Sequence, residues 1–157
     1  MLGLSGAYNI WPVSPAKWVL RQLDHAAIYL MIGGTYTVFM AQMNSDLGVA
    51  ALLGVWSTAA VGISLKLLLP GRLERVSIGL YMLLGWSGLA IFRTILAAIP
   101  TMSLWLLAVG GVIYTAGVAF HLWRTLRFHN AIWHVFVLVA ACCHYCAVIA
   151  WLVSRGT

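Results

Sequence analysis

Charge is what this sequence has least of. Only 8% of its 157 residues are charged, and just three of those are acids, whereas about a quarter of a soluble domain is charged. No polar stretch is longer than a short loop, which excludes a second soluble domain. With Asp24, Asp46 and Glu74 as the only acids, no paired-carboxylate site can form, and neither a Ser/His/Asp arrangement nor a glycine-rich phosphate loop is present. Cysteine is scarce as well. Cys142, Cys143 and Cys146 share one apolar run, so they read as small buried apolar fillers and not as a disulfide framework. The CxxC spacing of Cys143 and Cys146 lacks the βαβ context of a redox motif. A secretory signal is missing too: residues 1–10 have no positive n-region, and they read as the end of a membrane helix whose beginning is absent.

What remains is apolar. Hydrophobic residues make up 63% of the chain, and the mean hydropathy of +0.97 indicates an integral membrane protein. The net charge of +6 sits between apolar runs, where topology and anionic headgroups account for it and nucleic acid is not a partner. A helix needs roughly 20 residues to cross a bilayer. On that measure the runs predict five complete spans, at about 24–43, 47–69, 76–93, 102–123 and 129–153, plus a partial helix before them. The expected fold is an all-α, polytopic membrane helix bundle, a single domain over residues 1–157. Pro12 and Pro15 are expected in the loop before the first complete span, and Pro70-Gly71 end the second. Arg93 either closes the third at Phe92 or snorkels from a helix that continues to Ile99 before Pro100.

Basic residues then set the orientation. Lys17 and Arg21 precede the first complete span, Lys66, Arg72 and Arg75 mark the end of the second, and Arg124 and Arg127 follow the fourth. By the positive-inside rule those segments are cytoplasmic, and the C-terminus with Arg155 lies outside. Asp24 and His134 then fall at similar depth on the cytoplasmic side, which makes a shared site geometrically feasible.

An ionisable group at the mouth of a membrane helix is a candidate functional residue, although Asp before an apolar run is also an ordinary helix N-cap. His25 points about 100° away from Asp24 around the helix. Asn130 and His134, four residues apart, share a face, from which His129 is rotated by roughly 140°. His144 lies about 15 Å along the axis and about 80° around from His134. That is too far to share one metal ion, so His144 reads first as a buried histidine bonded across helices. Tyr29, Thr35, Tyr36 and Thr37 supply hydroxyls for packing, and the paired glycines allow close helix approach.

Four ordered motifs carry a resemblance. LDHAAIYLMIGGTYT at 23–37, GW at 85–86, GGVIY at 110–114 and IWHVFVL at 132–138 with His144 resemble the hemolysin III family, which groups with the progestin and adipoQ receptors, including the adiponectin receptors. The resemblance implies a seven-helix fold with a cytoplasmic amino end. In that fold this chain lacks the first helix and most of the second, and residues 1–10 are the tail of helix two. It further implies a zinc ion near the cytoplasmic face, held by three histidines, with an aspartate that orients the attacking water. Those ligand positions fall at Asn9, Asn130 and His134, and the aspartate at Asp24. Two of the three ligands are asparagine here, so the implied site is a degraded zinc-hydrolase-like cluster. The expected role is membrane-lipid or membrane-energetics homeostasis in the bacterial inner membrane, with membrane lipids as partners. The alternatives are a pore-forming or cytolytic protein and a non-catalytic lipid-binding receptor or scaffold.

Overall fold

A computed structural model describes residues 1–41, 43, 45–69 and 74–156, with the side chains of Glu74, Phe92 and Arg155 left aside. Pro70, Gly71 and Arg72, read above as the end of the second span, lie outside the described residues. Among the described residues seven helices follow in order: α1 Leu2–Ile10, α2 Pro15–Met40, α3 Asp46–Leu68, α4 Glu74–Trp86, α5 Phe92–Ala98, α6 Thr101–Leu122 and α7 His129–Gly156. A short 3-10 turn, Ser87–Ile91, separates α4 from α5, and no strand occurs among the described residues. Among the described residues three helices are long and apolar enough to cross a membrane, Asp46–Leu68, Thr101–Leu122 and His129–Ser154. The chain is an all-α membrane protein. α2 has the length at 26 residues, but Lys17, Arg21, Asp24 and His25 dilute its hydropathy.

The start of α2 differs from the expected one, and the reason is local. Ser14 is extended and its Oγ accepts from Lys17 N at 3.3 Å, with Pro15 in the first turn. A hydroxyl cap followed by a residue with no N–H to leave unsatisfied is a stronger start signal than Asp24. Pro15 is therefore helical and not part of a loop, and Asp24 is not the N-cap; it lies about two and a half turns inside the helix. At the other end α2 closes at Met40, short of residue 43. α3 is capped in the same way by Ser45, whose Oγ accepts from Gly48 N at 3.1 Å. Its first turn carries Asp46 and its last turn Lys66, both favourable to the helix dipole. Asp46 and Glu74 thus open helices and do not sit in loops. The third apolar run extends past Arg93, broken at 87–91, and stops at Ala98 ahead of Pro100, where the residue before proline is driven out of the helical region.

The chain forms two compact units, 1–85 and 86–157. In the first, Tyr29, Val55, Ala59, Tyr81 and Leu84 make the core. The Tyr29 and Tyr81 rings lie 4.4 Å apart. Tyr36 Oη donates to the Leu84 carbonyl at 3.2 Å and Tyr29 Oη to that of Ser77 at 3.5 Å, both across 48 residues. A constant offset means that α2 and α4 run parallel. α3 runs against α2: Trp56 Nε1 donates to Thr37 Oγ1 at 3.0 Å, while Gly62 faces Tyr29 nearer the start of α2. The unit is an up-down-up arrangement.

In the second unit α6 and α7 pair antiparallel. Ser103 Oγ donates to the Ala147 carbonyl at 2.9 Å, Gly110 faces His144, and Gly117 faces Phe136. Small residues on α6 receive large ones on α7, as close packing in a membrane favours.

Candidate functional site

Up-down-up packing brings the start of α2, the end of α3 and the start of α4 to one end of the first unit. Asp24 and His25 come from α2, Lys66 from α3, and Ser77 and Tyr81 from α4. The Tyr81 hydroxyl donates to the His25 carbonyl at 3.0 Å and lies within Coulombic reach of the Asp24 carboxylate. His25 turns back to its own helix, its Nδ1 meeting the Arg21 carbonyl at 2.5 Å. Asp24 and Lys66 both act electrostatically on the His25 ring. Lys66 is only 7% exposed, and Gln22 and Ser77 are buried beside the same end. Asn9 lies on α1, where its Nδ2 donates to the Ser5 carbonyl one turn back at 2.8 Å.

Lys66, Tyr81 and Ser77 were not expected as members of this group. Read as a sequence, Lys66 serves only topology. Yet it stands before the end of an apolar run, followed by Leu67, Leu68 and Leu69, and an ammonium set inside a run is a sign of a polar partner at that depth.

The second unit holds His129, Asn130, His134 and His144, all on α7. Asn130 and His134 are half-buried and one turn apart on a common face. His129 is used locally, its Nδ1 meeting the Leu126 carbonyl at 3.2 Å. His144 hydrogen-bonds to the Leu107 backbone of α6 and meets the Tyr114 ring edge-on at 5.5 Å. The site of Gly110 admits it, because a Cβ there would lie 2.6 Å from its Cδ2. His144 is thus a packing histidine bonded across helices. Cys142 and Cys146 are exposed on α7 and Cys143 is half-buried, all as free thiols, so the expectation of buried fillers fails for two of the three.

Asn9 and Asp24 therefore stand in one unit, and Asn130 and His134 in the other. The donor set at the positions the family resemblance assigns to zinc is two amides and one imidazole. Carboxamides are poor zinc ligands, and Asn9 already directs its amide nitrogen to its own helix. Among the described residues no group of three or more His, Cys, Asp or Glu side chains gathers. These residues do not fit a zinc centre.

Comparison with known proteins places the chain. The model of the Haemolysin-III related family matches residues 1–145. A hemolysin-3 homolog of Bacillus subtilis is 35% identical over 139 residues, covering 88% of this chain and 65% of that protein. Hemolysin-3 of Bacillus cereus is 34% identical over 136 residues, covering 86% of this chain and 62% of that protein. The human monocyte to macrophage differentiation factor is 31% identical over 154 residues, covering 92% and 63% respectively. The chain thus spans just under two thirds of the length of these relatives. No solved structure matches it. With the family model covering nearly the whole chain and its relatives above 30% identity, the protein belongs to the haemolysin III family.

Proposed function

We propose that this protein acts in membrane-lipid or membrane-energetics homeostasis, in the inner membrane of a bacterium, through polar residues near the cytoplasmic face, Asn9 and Asp24 in the first unit and Asn130 and His134 in the second. The observation that carries the reading is the position of Asp24: a carboxylate well inside α2, at the end of the unit where Lys66 is buried and Tyr81 reaches the α2 backbone. Charged groups at such depth are costly unless paired, and in membrane proteins they mark function. These residues hold the polar part of a lipid and are the degraded counterpart of a zinc hydrolase's ligand set, with lipid binding kept and the ligands altered.

The topology that serves this reading has five complete spans and a partial helix, α1, before them. α2, α3, α6 and α7 supply four spans, and α4 with the 3-10 turn and α5 supplies the other. Lys17 and Arg21, Lys66 and Arg75, and Arg124 and Arg127 then face the cytoplasm, with the C-terminus outside.

Complementation tests the function. In a strain deleted for the gene, wild-type protein restores phospholipid composition and membrane potential, and Asp24→Asn/His134→Ala, expressed to the same level, restores neither. Full rescue by the double variant would remove these residues from the function.

A further inference from the structure

The turn between α6 and α7 is built unlike a loop that merely reverses the chain. Its residues Trp123, Arg124, Thr125, Leu126, Arg127 and Phe128 contain two arginines and no acid. The backbone is held by a succession of short bonds: Trp123 N to Phe120 O at 3.2 Å, Arg124 N to Leu122 O at 2.9 Å, Leu126 N to Trp123 O at 3.0 Å, and His129 N to Leu126 O at 3.2 Å. On this hydrogen-bonded turn Trp123 is 56% and Phe128 67% exposed, and Arg124 and Arg127 are exposed with them. Arg127 lies over the Phe128 ring, 4.9 Å from guanidinium carbon to centroid. Phe128 reaches this place only by adopting φ of 64°, the left-handed region that a bulky residue avoids.

Exposed aromatic rings at the end of a membrane helix seat at the boundary between headgroups and acyl chains. Guanidinium groups at that level offer paired N–H donors matched to phosphate oxygens. A guanidinium drawn to a ring face has fewer placements to lose when a ligand arrives, which lowers the ordering cost of binding. We infer that the 123–128 turn is a binding site for the phosphate of an anionic phospholipid, with Arg124 and Arg127 taking the phosphodiester and Trp123 and Phe128 seating the turn among the chains. The inference rests on the membrane character of the chain alone, so it stands or falls apart from the homeostasis reading.

The test is lipid binding to the full chain in nanodiscs of phosphatidylcholine doped with phosphatidylglycerol, read by native mass spectrometry of the lipid retained. Wild-type protein retains phosphatidylglycerol over phosphatidylcholine. Arg124→Gln/Arg127→Gln loses that preference by about 30-fold, since each basic residue near an anionic surface contributes about 1 kcal/mol. Arg93→Gln, which removes an exposed charge elsewhere, leaves the preference intact. Phe128→Gly, which relieves the backbone conformation but removes the ring, weakens phosphatidylglycerol retention while the protein melts no lower. Inorganic phosphate and glycerol phosphate, added as competitors, fail to displace the lipid. Equal retention of both lipids, or an equal loss in Arg93→Gln, would overturn the proposal. So would displacement by free phosphate, because the ligand would then be the soluble anion.

Discussion

At Gly62 the ring of Tyr29 occupies the space that any side chain would need. A Cβ there would lie 2.2 Å from Tyr29 Cζ and 2.6 Å from its hydroxyl, distances that only a shift of α3 or of the whole tyrosine relieves. Gly62→Ala is expected to destabilise the detergent-solubilised protein by about 2 kcal/mol, the usual range for overpacking, read as a lowered melting temperature. Tyr29→Phe should cost under about 1 kcal/mol, because the hydroxyl bond it removes is long. In a Tyr29→Ala background the added cost of Gly62→Ala should vanish, and a persisting penalty would mean that the glycine serves something other than the tyrosine. Gly110 and His144 form the matching pair in the second unit. Gly110→Ala should break the contact of His144 with the Leu107 backbone. The check is loss of the slowly exchanging imidazole proton in the NMR spectrum, with His134 unaffected.

For the helices, the caps decide the boundaries. Ser14→Ala should cost about 1 kcal/mol and speed amide exchange in the first turn of α2, whereas Asp24→Ala should leave exchange there unchanged. Faster exchange confined to residues 26–28 in Asp24→Ala would return Asp24 to the cap. Much of this level was legible in the sequence. The runs ending near Leu68, opening near Thr101 and beginning at His129 match α3, α6 and α7 closely, because uninterrupted apolar stretches leave a membrane helix few other places to begin or end. The start of α2 was not legible from hydropathy: Lys17, Arg21 and Asp24 mask it, and the true signal is the Ser14-Pro15 pair. The break at 87–91 was equally hidden, since Ser87 and Gly88 look no different from the small residues that line unbroken helices. Of the candidate site, Asp24, Asn130 and His134 could be picked out by type and spacing. Tyr81 could not, because its place depends on α4 folding back beside α2, and Lys66 is marked only as an ammonium inside an apolar run, with its partners set by the packing of α3 on α2.

At the scale of the molecule, most charges among the described residues stand near the ends of apolar elements, Arg93 and the group around Asp24 excepted. In the first unit this group draws its members from three helices, α2, α3 and α4; in the second, Asn130 and His134 occupy one face at the start of α7. We propose that Asn9, Asn130 and His134 stand at the ligand positions of a zinc site whose ligands have changed, with Asp24 at the position of its aspartate. Restoring the ligands tests it most directly. Asn9→His/Asn130→His, purified and analysed for metal by mass spectrometry, is predicted to carry about one zinc per chain where wild type carries none above background, and to lose it when His134→Ala is added. A double variant that melts like wild type yet binds no zinc would contradict the claim.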